Sequence, residues 1–219
     1  MVDESAIKAS NIALPITDAP KIEDQDMIDV VFDLNGSSVS EGYPFALWSE
    51  VARCLPWLQD EEHAGILPLR GSASGETLLL SRRTKLVLRV PVARAAQAGQ
   101  LSGQQLNVDG SILTVGNGKQ RPLLATTTLH SYIVESSLGE IEFLADMKEK
   151  LQAMNIPCNL ICDKQRRIRG AKQSLSGFGL VLHDLKPLAS IQIQRIGLGG
   201  ARHFGCGLFI PFKAISGLE

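Results

Sequence analysis

The segment GEIEFLADMKEKLQAM, residues 139–154, carries the most regular helical pattern in the chain, and β-rich runs bracket it on both sides. Leu144, Met147, Leu151 and Met154 fall on one stripe. Glu140 and Glu142 load the first turn and Lys148 and Lys150 the later part, an order that suits the helix dipole. TTTLHSYIVES (126–136) reads as the strand before it; CNLIC (158–162), GFGLVLHDL (177–185), SIQIQRI (190–196) and GLFIPFK (207–213) read as strands after it. The same order stands earlier in the chain. MIDVVFDL (27–34) is strand-like, and EGYPFALWSEVARCLPWL then places Phe45, Trp48, Val51, Ala52 and Leu55 at helical spacing, with Pro44 in the first turn and Pro56 as the stop. Strand candidates at 77–80 and 84–90, a small Ala-rich helix near 92–99, and runs at 105–108 and 111–115 follow, the last two joined by the hairpin signal Asp109-Gly110. Strand, helix, strand, strand, then more strand, met twice, predicts an α+β chain of two tandem ferredoxin-like modules. The expected division is an acidic, flexible leader over 1–25, an N-terminal module over 26–118 and a C-terminal module over 119–219, with the boundary in NGKQRPL (117–123).

At 219 residues, 44% of them hydrophobic, such a chain can bury two cores. No run of about 18 uncharged apolar residues occurs, so no membrane-spanning helix is expected. The start, MVDESAIKAS, has no apolar core of a signal peptide, and the expected location is the cytoplasm. The four cysteines, Cys54, Cys158, Cys162 and Cys206, are then reduced thiols. Cys158 and Cys162 lack zinc-site spacing and are expected in the core.

The formal net charge of −1 conceals an asymmetry. Residues 1–29 hold seven acids against two lysines, whereas residues 151–219 hold nine Lys/Arg against three acids. That distribution suits a polyanion-binding C-terminal half, although ordinary solvated charge reads the same way. The densest part is DKQRRIRGAKQ (163–173), where Lys164, Arg166, Arg167, Arg169 and Lys172 fall between two strand candidates, as on a hairpin tip or connecting arm. Five cations in nine residues can neutralise several phosphates. Few aromatics accompany them, which favours a structured hairpin as the ligand over a stacked single strand. Downstream, IGLGGARHFGCGLFIPFKA (196–214) places Gly197, Gly199, Gly200, Gly205 and Gly207 around Arg202 and His203. Such a loop could turn backbone amides outward as a phosphate nest, with Arg202 as counter-charge; a purely structural connection is the alternative.

The pattern G-Φ-G-x-x-R-x-Φ-G-x-G-Φ-Φ, where Φ is apolar, resembles the glycine-rich loop of the RAMP superfamily of CRISPR-associated proteins. More narrowly, the chain resembles the repeat-processing endoribonucleases of the sixth Cas family, compact Myxococcus-subtype branch. DVVFDLNG, GYPFALWSEVARCLPWL, GILPLRGSASGETLLLSRRTKLVLRVP, RPLLATTTLHSYIV and GLVLHDLKPLASIQIQRIGLGGARHFGCGLFIPFKAI carry that likeness across residues 28–215. The resemblance implies RRM-like modules that bind a CRISPR repeat RNA, usually as a hairpin. It also implies cleavage of one phosphodiester without metal or cofactor, the adjacent 2′-hydroxyl attacking to leave a 2′,3′-cyclic phosphate and a 5′-hydroxyl. DNA, lacking that hydroxyl, would not be cut. Other Cas proteins of an effector complex are implied as possible partners.

Glu41, Leu67 and Phe212 stand where relatives tend to carry histidines. The proton-transfer candidates are therefore His63, Tyr43 and His203, with His130 and His183 read as structural. The candidate RNA contacts are Lys164, Arg166, Arg167, Arg169, Lys172 and the loop residues Gly197, Gly199, Gly200, Arg202, Gly205 and Gly207. Two other readings stay open: a catalytically degenerate RNA-binding subunit, and a small-molecule-binding regulatory α+β protein that would leave 163–173 unexplained.

Overall fold

Two strand–helix–strand–strand–helix–strand cycles build the chain, and a computed structural model describes them over residues 26–212. The acidic leader expected at 1–25 lies outside the described residues. The first cycle contains β1 (Met27–Asn35), β2 (Ser38–Ser40), α1 (Tyr43–Cys54), β3 (Gly65–Ile66), β4 (Ser72–Ser74), β5 (Thr77–Leu79), β6 (Lys85–Pro91), α2 (Ala95–Ala98), β7 (Gln105–Val108) and β8 (Ser111–Pro122). The second contains β9 (Leu129–Glu135), α3 (Glu140–Ala153), β10 (Asn159–Arg169), β11 (Ser174–His183), α4 (Pro187–Ile196) and β12 (Ile210–Pro211). The sheets run β3-β6-β1-β8-β7 and β10-β11-β9-β12, and β2, β5 and β4 form a small third sheet. Taking β1, β3, β6 and β8 as the first cycle's four strands, both sheets share the order second-third-first-fourth, with every pairing antiparallel. This is the α+β ferredoxin-like arrangement that the element order predicts.

Helix α1 forms where expected. Pro44 sits in its first turn, Phe45, Leu47, Val51 and Ala52 are buried, and Leu55 follows before Pro56. Its core partners include Phe32, Leu86 and Leu88 of the first sheet, all fully buried. The stripe of α3 centres on Phe143, Met147 and Leu151, with Leu144 and Met154 only partly buried, against Phe178, Leu180 and Leu182 of β11. Full burial of a side chain of this kind contributes about 1.5–3 kcal/mol. Asp109 and Gly110, at φ 49° and 85°, close the β7–β8 hairpin as their sequence requires.

Several elements differ in detail from the expectation. SIQIQRI is not a strand but most of helix α4, whose buried face is Ser190, Ile193 and Gln194. GLFIPFK contributes only Ile210–Pro211 to the sheet. The basic run forms the far end of the β10–β11 hairpin, with residues through Arg169 on β10 itself and residues 170–173 in the turn. Cys158 and Cys162 are half-buried at the margin of the second core, whereas Cys206 is buried. Strand β8 runs on to Pro122, through the start of the module expected at 119–219.

The two cycles are joined by apolar and ionic contacts. Val31, Leu67 and Val87 of the first meet Leu208 and Ile210 of the second. Arg89, with no exposed surface, donates to Asp29 Oδ1 at 2.8 Å and crosses to the carbonyls of Gln194 at 3.0 Å and Phe209 at 2.7 Å. A buried guanidinium is tolerated only with partners of this kind, since an unpaired charge there costs several kcal/mol, about 3–5 by mutation. No helix of the described residues is long and apolar enough to cross a membrane.

Candidate nucleic-acid interface

Strand β10 is an edge of the second sheet; Arg166, Arg167 and Arg169 belong to its ladder, Lys164 lies in its bulge and Lys172 in the turn that follows. Lys164, Arg167, Arg169 and Lys172 are exposed. Arg167, Arg169, Lys172, Gln173 and Ser174 line a shallow depression along this edge. The turn behind it is anchored to the first cycle: a Cβ on Gly42, before α1, would lie 2.3 Å from the Arg169 carbonyl oxygen, and one on Gly170 would lie 2.5 Å from Phe45. The end of the basic edge thereby packs closely against the start of α1. Arg166 differs from its neighbours. It bonds Asp163 Oδ2 at 2.5 Å and covers the Tyr132 ring at 4.5 Å, so it is not a free cation. That pairing holds the Asp163 carboxyl below its ordinary range.

The glycine-rich loop is assembled around Arg202. The guanidinium is buried, and it donates to the His63 carbonyl through Nε at 3.0 Å and Nη2 at 2.7 Å, to Ile196 at 2.7 Å and to Arg195 at 3.0 Å. Gly197, at φ 69°, lets it lie there, because a Cβ would sit 2.1 Å from Nη1. Burial first, and Arg89 second, lower the Arg202 proton affinity to about 10, which leaves it charged at neutral pH. Arg202 as a counter-charge for bound phosphate is therefore corrected: its donors are spent on the protein's own carbonyls. Gly205 and Gly207 are buried with it, and the Gly207 amide bonds the Ile133 carbonyl at 2.8 Å. Gly199 and Gly200 remain exposed.

The three proton-transfer candidates have different surroundings. Tyr43 is buried, and its hydroxyl accepts from the Leu69 amide at 2.8 Å. Burial drives the Tyr43 phenol well above its ordinary value, so it neither reaches solvent nor ionises; its assignment is corrected to packing. His203 stacks on Trp48 with centroids 4.1 Å apart, its Nε2 buried without a hydrogen-bond partner. Burial and then Arg202 hold it below the ordinary imidazole range, and the residue as a whole is half-buried. His63 is half-exposed, with its backbone fixed by Arg202.

A cluster that local sequence could not assemble lies on the open face of the second sheet: Tyr132 and His130 of β9, Arg166 of β10 and Phe212 beyond β12. Its only signal was alternation in LHSY, which puts His130 and Tyr132 on one side.

Against known proteins, the family model described as "Cas6 Crispr" matches residues 28–214. The CRISPR-associated endonuclease Cas6 of Myxococcus xanthus (strain DK1622) is 30% identical over 186 residues, covering 84% of this chain and 81% of that one. Two solved structures share the fold at 12% identity and a TM-score of 0.61. One, a CRISPR associated protein Cas6, is matched over its whole length and 86% of this chain. The other, described as a RAMP protein binding different RNA substrates, is matched over its whole length and 85% of this chain.

Proposed function

The chain belongs to the Cas6 CRISPR family, and from that premise we propose that it binds CRISPR repeat RNA and cleaves it once, as a metal-independent endoribonuclease. The observation that carries this reading is the exposed set Lys164, Arg167, Arg169 and Lys172 on the edge strand β10 and the turn after it. Such a set meets the phosphates of a paired stem without needing sequence-specific contacts.

In the proposed reaction the 2′-hydroxyl beside the scissile phosphate loses its proton to a base while its oxygen attacks phosphorus. The P–O5′ bond breaks, and the departing oxygen takes up a proton to give a 5′-hydroxyl and a 2′,3′-cyclic phosphate. Half-exposed His63, and half-buried His203 with it, are the proton-transfer candidates, and exposed Gly199 and Gly200 supply the loop amides for phosphate. The endonuclease name of the Myxococcus relative supports cleavage, and the RNA-binding RAMP neighbour supports the ligand.

A second reading, a non-cleaving RNA-binding subunit, draws on the burial of Tyr43 and on the stacking of half-buried His203 against Trp48. One experiment separates the two. Cognate repeat RNA is incubated with the protein in EDTA, beside the same RNA carrying a 2′-deoxy residue at the cut. A single cut with a cyclic-phosphate end in the first and an intact, bound RNA in the second is expected. Salt-sensitive binding with both RNAs intact supports the subunit, and no binding to either overturns both readings.

A further inference from the structure

Two β-bulges face each other across one glycine on the open side of the second sheet. The β10–β11 register shifts between Cys162 and Gln165, and the β9–β11 register shifts between Ser131 and Val134, so both extra segments lie opposite Gly179. Bulges re-aim side chains, and a glycine at such a place admits a close approach. A Cβ on Gly179 would sit 2.2 Å from Arg166 Nη1. Glycine thus lets the guanidinium lie down on the sheet. There it covers one face of Tyr132 while Asp163 and the Lys164 carbonyl, at 3.2 Å, hold its other end.

Beside this clamp His130 tilts against Phe212, ring centroids 5.4 Å apart. Tyr132 is 49% exposed and Phe212 45%, and they are the two aromatic rings among the exposed large apolar side chains of the described residues. Both flank the same histidine. The row Ile161, Val181, His130, Ile210 pairs straight across all four strands, and Ile161 is itself 54% exposed. The chain presents a ring-bearing face on which Arg166 already covers one ring.

The charge around it narrows what that ligand is. Burial, then the Arg166 guanidinium, hold His130 below the ordinary imidazole range; Asp163 opposes them, and the more distant Arg70 adds to them. The imidazole is neutral at physiological pH while guanidinium groups stand beside it. Flat apolar rings in a cationic setting suit an anionic chain whose units have π faces. The face also adjoins the proposed phosphate track, since Arg166 lines one depression together with Arg167 and Arg169 at the sheet edge.

We propose that the open face of the second sheet, centred on Tyr132, His130 and Phe212, stacks unpaired bases of the RNA. It rests on the RNA-binding reading and adds a second subsite to it: paired stem along β10, single strand across the sheet. Four strands at about 4.8 Å spacing leave room for about two bases. Base stacking of this kind tolerates any sequence and is lost ring by ring on truncation.

The test uses the full chain and two fluorescein-labelled probes, hexa-adenylate RNA and a blunt RNA hairpin with no unpaired flank. Tyr132→Ala and Phe212→Ala are each expected to weaken hexa-adenylate binding about tenfold and hairpin binding less than about twofold, with Tyr132→Phe restoring the first. A hexamer carrying 2-aminopurine is expected to lose fluorescence on binding the unmodified protein, a readout independent of the variants. Hexamer binding unchanged in both alanine variants, or a parallel loss of both probes, overturns the proposal. Wild-type protein that binds the hairpin but not the hexamer overturns it while leaving the RNA-binding reading intact; protein that binds neither overturns that reading as well.

Discussion

Arg202 donates twice to the carbonyl oxygen of His63, 139 residues away, at 3.0 and 2.7 Å. The residue that looks most like a phosphate ligand in the sequence is a buried clasp between the glycine-rich loop and the segment after α1. Removing it leaves three carbonyl oxygens without their donor, a loss of about 3–5 kcal/mol. Arg202→Met is therefore expected to shift the urea unfolding midpoint strongly downward, and Arg202→Lys, which lacks the planar fork, to recover only part of the loss. The salt dependence of RNA binding by the folded variant should keep its slope. A stable variant with a shallower slope would instead make Arg202 a phosphate contact.

Arg167 and Arg169 lie on the other side of that distinction. Both are exposed on β10. Each alanine substitution is expected to reduce the slope of log affinity against log salt by about one and to leave the unfolding midpoint where it was. Binding titrations of a repeat hairpin at several salt concentrations read this directly. An unchanged slope in both variants would remove β10 from the interface.

How far the sequence reached depends on what each residue packs against. Helices α1 and α3 were legible because their buried faces are apolar at helical spacing. Helix α4 was not, because Ser190 and Gln194 form two-thirds of its buried face. Ser190 Oγ accepts the Thr126 amide and Gln194 Nε2 donates to the Leu124 carbonyl, so polar residues occupy core positions and the apolar ones mimic a strand's alternation. The punctuation was nevertheless present: Pro187 in the first turn and Gly197, at positive φ, just past the end. The site shows a deeper limit. Nothing local distinguishes an arginine that meets solvent from one that meets a carbonyl 139 residues away. Nor could the basic run reveal an aromatic partner, because Tyr132 reaches Arg166 only through the pairing of three strands.

His203 gives a pH dependence of definite sign. Its folded-state proton affinity is below the unfolded value of about 6.5, so the neutral form is the one the fold prefers. The unfolded chain then binds the proton first as pH falls. Stability from this group is fully present above about pH 6.5 and is lost as pH drops toward the lower folded-state value. His203→Phe, which keeps a ring against Trp48, is expected to flatten the stability–pH curve between about pH 7 and 5 relative to the unmodified protein. Urea unfolding at intervals across that range is the measurement, and parallel curves would mean that His203 does not titrate against folding.

The glycines of the loop separate into two kinds, and substitution tells them apart. At Gly197 a methyl group would meet Arg202 Nη1 at 2.1 Å and the Gly207 carbonyl oxygen at 2.3 Å, on a backbone at φ 69°. Gly197→Ala must displace the clasp, and a large drop in thermal midpoint follows from the same physics that makes Arg202 structural. Gly200 is exposed and lies outside the positive-φ set, and a methyl there meets only the Glu135 carboxylate at 3.2 Å, the mobile end of a side chain. Gly200→Ala should fold as the parent does. Gly200→Asp, which sets a carboxylate beside the exposed amides, should keep the parent's thermal midpoint and weaken RNA binding if those amides face phosphate. Equal RNA affinity in parent and Gly200→Asp, with both folded, would confine the loop to its structural part and leave phosphate recognition to β10 alone.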